Sequence, residues 1–296
     1  MAHRAHEGAE RALVRSLSRW FDAHERPLPW RSTTPWGVMV SEFMLQQTPV
    51  DRVRPVWEDW LVRWPEPADL AAASLADALR AWGRLGYPRR AQRLRESAIR
   101  IVHDHGGQVP DDPEALRALP GVGEYTSAAI LAFAFGRRSI VLDTNVRRVL
   151  ARTLTGEAAP PPHVTSGERS VADSVWPPAD AASARWSAAV MEFGALVCTA
   201  RAPACETCVV STTCAWLAAG RPEAAEARRR QPPYEGSDRQ ARGRILKVLR
   251  ETHSPLSRSS VLAAWPNAEQ AERALASLIT DGLVESLARG RFRLPT

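Results

Sequence analysis

Leu13, Leu17, Trp20 and Phe21 stand at i, i+4, i+7 and i+8, the spacing of one apolar stripe on an α-helix. The stripe stops before Pro27 and Pro29. Residues 26–34 therefore read as an extended loop, because proline disfavours helical backbone in the residue before it. Apolar positions return from Val38 to Gln47 and end at Pro49, which predicts a second helix. Further helical patterns cover 51–63, 68–82, 88–105 and 112–118. The last is opened by Asp111-Asp112-Pro113, which joins a capping carboxylate to the fixed φ of proline. Leu119-Pro120-Gly121-Val122-Gly123 interrupts the pattern, and helices resume at 124–135, 143–150, 166–175 and 183–195. Asp143 falls near an N-cap position, and Pro160 to Pro162 read as a surface loop. No strand pattern precedes residue 280, so the first 220 residues are expected to be all-α.

Residues 221–238 hold an arginine triplet, prolines and a glycine without apolar periodicity, which predicts a linker. Beyond it, Ile245 to Leu249, Val261-Leu262 and Ala271 to Ile279 mark three short helices. Leu283 to Leu287 and Arg291 to Leu294, joined at Arg289-Gly290, read as a β-hairpin. Three helices and a hairpin predict a small winged-helix-like domain at 239–296.

Composition narrows the partner. The chain carries a net charge of +6, and residues 239–296 hold ten Lys/Arg against five Asp/Glu. A basic excess concentrated in one module suits a polyanion. The N-terminus is polar and charged, and no run of 18 apolar residues follows. The expectation is a cytoplasmic protein without a membrane span. Lys247 is the only lysine in the chain, which with the alanine-rich background reads as a GC-rich genome.

The four cysteines, Cys198, Cys205, Cys208 and Cys214, are spaced C-x6-C-x2-C-x5-C. Such clustering in an intracellular chain points to a metal centre rather than disulfides. Zinc sites usually pair two short knuckles and only one exists here, so the spacing favours an iron–sulfur cluster, with zinc as the alternative. Gly121, Val122 and Gly123 lie between two helices. Their backbone N–H groups and the next helix's N-terminus would seat a DNA phosphate, the alternative being an ordinary helix–helix turn.

The hairpin, the aspartate about twenty residues after it and the cysteine loop together resemble the endonuclease III superfamily of base-excision DNA glycosylases, over roughly residues 10–216. Ser41-Glu42-Phe43-Met44-Leu45-Gln46-Gln47-Thr48 is similar to the corresponding stretch of the adenine DNA glycosylases of the MutY type. Arg26, Leu28, Trp30 and Arg31 resemble that family's base pocket, with Glu192 as a further pocket carboxylate. Tyr87, in Leu85-Gly86-Tyr87, resembles the residue that wedges beside the orphan base, with Gln47 as its companion. Asp143, in the Val141 to Arg148 segment, resembles the catalytic aspartate. Pro88 departs from the family, where a second tyrosine often stands.

What the resemblance implies is an all-α, two-domain helix–hairpin–helix glycosylase. A discontinuous domain, 1–25 and 138–220, would hold a [4Fe–4S] cluster on the four cysteines. A six-helix barrel, 26–137, would contain the hairpin at 112–135. The larger C-terminal domain usual in the family is replaced by the basic module. The implied reaction is removal of adenine mispaired with 8-oxoguanine or guanine. The base is flipped out of double-stranded DNA, Glu42 protonates it, and Asp143 stabilises the positive sugar, the logic of paired carboxylates at a glycosidic bond. Burial of Glu42 among Val40, Phe43, Met44 and Leu45 would raise its pKa and suit it to that task. Tyr125 and Asn145 would orient the reacting groups, and Gln46, Gln47, Thr48, Tyr87, Gly121 to Gly123 and Arg147 would contact DNA.

Bifunctional superfamily members attack the sugar with a lysine at the position of Tyr125. The expectation here is therefore a monofunctional, monomeric, nucleoid-associated enzyme that leaves an abasic site. A thymine– or uracil–guanine mismatch glycosylase is the rival within the fold, and an iron–sulfur transcription regulator the rival outside it.

Overall fold

The computed structural model describes residues 2–224 and 233–296, and in it the apolar stripes become helices. The first seven are α1 (Ala2–His24), α2 (Pro35–Leu45), α3 (Val50–Arg63), α4 (Pro67–Ala72), α5 (Leu75–Trp82), α6 (Arg89–His105) and α7 (Pro113–Ala118). Five more follow: α8 (Glu124–Phe135), α9 (Thr144–Leu150), α10 (Ser166–Val175), α11 (Asp180–Leu196) and α12 (Ala215–Ala218). The C-terminal module contains α13 (Asp238–Arg250), β1 (Leu256–Ser257), α14 (Arg258–Leu262), α15 (Ala268–Thr280), β2 (Glu285–Leu287) and β3 (Arg291–Arg293).

Three expectations change. The pattern over 68–82 splits at Ala73-Ser74, because the Ser74 hydroxyl accepts from the Asp77 N–H at 3.0 Å and starts a new helix. The loop 26–34 contains one 3₁₀ turn, Pro29–Arg31. A strand does precede residue 280. β1 pairs antiparallel with β3, Leu256 opposite Phe292, in a sheet of order β1-β3-β2. Two residues cannot display a two-residue period, so that strand carried no sequence signal. Residues 225–232 of the expected linker, Arg228 to Arg230 included, lie outside the described residues.

The chain divides into two compact units, Met1–Arg31 with Gly123–Arg228, and Ser32–Val122 with Arg229–Thr296. The boundaries expected from the sequence fall instead at 25/26 and 137/138, with 239–296 set apart. In the first unit the α1 stripe packs with Val146, Val149, Trp186, Val190 and Phe193, and the Trp20 ring meets Phe193 edge-on at 5.1 Å. In the second, Trp60 packs edge-on against Trp64 and Trp82, and the Trp36 indole donates to the Trp64 carbonyl at 3.0 Å. Aromatic pairs of this kind add about 0.5–1.5 kcal/mol beyond the area they bury. The C-terminal module joins α5 of the same unit, where the Ala76 N–H donates to the Pro295 carbonyl at 2.8 Å.

Candidate active site

Helix α2 is buried from Trp36 to Met44, so its polar members are held in an apolar setting. Glu42 is one of them, 5% exposed. The helix stops at Gln46, and its last carbonyls would be orphaned without a donor. Arg90, from α6, supplies it. One guanidinium nitrogen donates to the carbonyls of Phe43 (2.9 Å), Met44 (3.0 Å) and Gln46, the other to the Thr48 hydroxyl (3.0 Å) and the Gly86 carbonyl (3.2 Å).

Arg90 also lies over the Tyr87 ring at 5.4 Å. Burial, with Arg52 nearby and Tyr87 opposing, pulls its pKa down to about 10, which leaves it charged at neutral pH. The expected wedge residues flank this clamp. Gln47 (φ 57°) and Tyr87 (φ 47°) both adopt the left-handed conformation that side chains rarely take. Strain of that kind persists only where the surroundings impose it.

In the other unit, Asp143 caps α9. Its carboxylate accepts from the Val146 N–H at 2.6 Å and from the Asn145 side chain at 2.8 Å. Burial holds the Asp143 carboxyl above its ordinary range, against the opposing pull of those two bonds and of Arg148. Asn145 in turn accepts from Arg148 at 2.8 Å, and Arg148 reaches the carbonyls of Cys198 (2.8 Å) and Gly194 (2.6 Å). Gly194 is obligatory there, since a Cβ would come within 2.8 Å of the Asn145 Cβ. Tyr125, in the first turn of α8, packs against the same core.

Arg26, Arg31 and Glu192 come together in this unit. Arg26 forks onto Glu192 at 2.7 and 2.9 Å, and Arg31 donates to it at 3.1 Å. Burial pushes the Glu192 carboxyl up, but the Arg26 bonds and the Arg31 charge outweigh it and leave the pKa lowered. Leu28 and Trp30 are buried beside them in sequence.

The hairpin turn is built around Gly121, at φ +81°. A Cβ there would meet the Arg93 Cβ at 2.8 Å and the Phe43 ring at 2.9 Å. Gly123 starts α8 without a side-chain cap. Arg147, expected at DNA, also makes contacts within the protein. It forks onto Glu168 at 2.8 and 2.9 Å and donates to the Pro161 and His163 carbonyls, bracing that loop.

All four cysteines line one cavity, together with Arg152 and Trp216. Arg152 donates to the Cys198 sulfur at 3.6 Å and the Thr199 carbonyl at 2.7 Å, and stacks on the Trp216 ring at 4.5 Å. Among the described residues no three His, Cys, Asp or Glu side chains converge closely enough to ligate one ion.

Sequence reasoning missed Arg90, Arg148 and Arg152. Each acts through contacts distant in sequence, and in a chain whose cations are nearly all arginine the residue type gave no signal. The i, i+4 run of Arg148 and Arg152 ahead of the cysteines was the available hint.

A helical scaffold with a capped aspartate at one helix start and a glycine hairpin before another defines the class of helix–hairpin–helix base-excision proteins. Consistent with that, the family described as HhH-GPD superfamily base excision DNA repair protein matches residues 40–171. The adenine DNA glycosylase of Mycobacterium tuberculosis is 49% identical over 284 residues, 95% of this chain and 92% of that one. The chain belongs to the adenine DNA glycosylases of this superfamily. Among solved structures, a thermostable thymine-DNA glycosylase superposes with a TM-score of 0.65 at 26% identity, over 72% of this chain and 98% of that one. A non-covalent endonuclease III–DNA complex gives 0.62 at 21% identity, over 73% and 99%, a likeness of fold alone.

Proposed function

We propose that this protein removes adenine from double-stranded DNA where it is mispaired with 8-oxoguanine or guanine, by hydrolysing the N-glycosidic bond and leaving the strand uncut. The observation that carries the reading is Glu42, a carboxyl 5% exposed on a helix that is buried from Trp36 to Met44. Such a group is suited to deliver a proton to the leaving base. Asp143 stabilises the sugar cation as the base departs, and Asn145 and Tyr125 orient the reacting groups. Arg26, Leu28, Trp30, Arg31 and Glu192 shape the base pocket. Gln46, Gln47, Thr48 and Tyr87 act at the duplex, and the hairpin's Gly121 to Gly123 seat a phosphate.

The four cysteines fit a [4Fe–4S] cluster. They share one cavity, Arg152 meets the Cys198 sulfur, and their C-x6-C-x2-C-x5-C spacing holds only one short knuckle. When bound, the cluster supplies a rigid tie between the segments that carry the thiolates. Arg148 and Arg152 fasten the Cys198–Ala200 backbone to the chain that follows Asp143. The division of the helical body into cluster and barrel domains, and the winged-helix-like character of 239–296, belong to the same reading, as do a monomeric state and action at the bacterial nucleoid.

A panel of mismatched duplexes, each treated with alkali after incubation, tests the function. Strand breaks at adenine opposite 8-oxoguanine or guanine are expected. Breaks at thymine or uracil opposite guanine instead would transfer the chain to the rival specificity, which the fold likeness to a thymine-DNA glycosylase keeps in view.

A further inference from the structure

A cleft of about 1070 Å³ opens beside the wedge turn. One wall is Gln46-Gln47, Arg52 and the segment from Trp82 to Arg90, and the other is Tyr234 and helix α13. α13 buries Ala241, Ile245, Leu246 and Leu249. It lines the cleft with Arg239, Arg242, Gly243, Arg244, Lys247 and Arg250. Every charged residue that lines the cleft is a cation.

Asp281 takes Arg242 (2.6 Å) and Arg89 (3.4 Å), and Glu251 takes Lys247 at 3.7 Å. Burial lowers the Arg250 pKa against the pull of Glu251, with Arg84 adding a smaller push in the same direction. A cleft whose charged lining is all cationic favours a polyanion. Two exposed aromatics complete the surface, Tyr87 (42%) and Tyr234 (56%). Tyr234 lies over Gly243, where a Cβ would come within 3.3 Å of its hydroxyl. Aromatic rings among guanidinium groups are how proteins hold unpaired bases and the backbone that bears them.

The β2–β3 hairpin is less well placed for that task. Arg293 pairs with Glu285 at 2.7 Å, and Arg291 donates to the Pro255 carbonyl at 3.1 Å.

We infer that this cleft binds the DNA strand opposite the excised adenine, with its phosphates on Arg244, Lys247 and Arg250 and its bases against Tyr87 and Tyr234. The C-terminal module is then the second jaw of a clamp, and it works through α13 rather than through its hairpin. The inference rests on the reading of the chain as a DNA glycosylase.

The test uses the full chain and a short duplex whose adenine carries a 2′-fluoro sugar, which keeps the base attached. Affinity is read by fluorescence anisotropy over a salt series. For Arg244→Ala with Lys247→Ala, the slope of log Kd against log salt is expected to fall by about 2, since each phosphate contact contributes about 0.9. Arg244→Lys, alone, is expected to keep the slope. Tyr234→Ala is expected to weaken binding at least ~5-fold and to abolish quenching of 2-aminopurine placed opposite the adenine.

An unchanged slope in the folded double variant, checked by its helical circular dichroism, would overturn the inference. If that variant melts, Arg244→Ala alone decides, with an expected fall of about 1. Adenine release by the wild type is scored separately. A lowered slope without any release would remove the enzymatic reading and leave the cleft standing. Release with an unchanged slope would do the reverse.

Discussion

At the residue scale, two carboxyls are asked to do opposite things. In the proposed reaction Glu42 holds a proton and Asp143 lacks one. Glu42→Gln is expected to lose at least ~100-fold in single-turnover adenine release, the scale of general-acid catalysis. Asp143 is more informative, because it is also a helix cap. Asn keeps the acceptor for the Val146 N–H. It loses the bond from Asn145, worth about 1 kcal/mol, and removes a charge that burial opposes.

The sign of that charge term is fixed by the raised pKa. Asp143's contribution to stability is fully present below the unfolded pKa and is lost as pH rises through the folded one, so at neutral pH the ionised form is the destabilised form. The two changes offset, and the Tm of Asp143→Asn is expected within about 3 °C of wild type while glycosylase activity disappears. Near-normal activity in that variant would reduce Asp143 to a cap. The same raised pKa places the acid limb of the wild-type pH–rate profile above the ordinary aspartate value of about 3.9. Sequence spacing made Asp143 legible as a cap, and resemblance made it legible as a reacting group. Arg90 was legible as neither, because its role is set by five acceptors in two segments, 43–48 and Gly86, that only the fold assembles around it.

Elements are legible where a helical run is bounded by caps or turn residues, as by Gly123 and Gly136 or by Thr165. The 124–135 stripe matches α8 to the residue, and 166–175 matches α10. Local chemistry won where it competed with the period, as at Ser74, which ends one helical run and caps the next. The wedge turn shows a further limit. Left-handed backbone at Gln47 and Tyr87 is invisible in residue types that usually avoid it, whereas Gly121 advertised itself. For the hairpin this gives a direct expectation. Gly121→Ala meets both a positive φ and two carbon contacts under 3.0 Å. A loss of about 1–3 kcal/mol in urea unfolding is expected, together with weaker binding of undamaged duplex, because a displaced turn no longer presents its N–H groups to a phosphate. An unperturbed variant on both measures would show that the glycine is dispensable to fold and contact alike.

At the scale of the molecule, what is missing from the sequence constrains the chemistry as firmly as what is present. Strand cutting through a Schiff base needs an amine nucleophile. The chain has one lysine, Lys247 on α13 in the C-terminal module, and a tyrosine at 125. A hydroxyl can orient a water or a carboxylate but cannot form an imine, so in the proposed reaction nothing follows the departure of the base. Borohydride added during turnover is therefore expected to trap no stoichiometric protein–DNA adduct, and the product strand is expected to stay intact until alkali is added. Lys247→Arg sharpens the measurement by removing the last side-chain amine while keeping its charge beside the cleft. Any adduct that survives in that variant must come from the N-terminal amine. An adduct that vanishes with it would make Lys247 a nucleophile and the enzyme bifunctional.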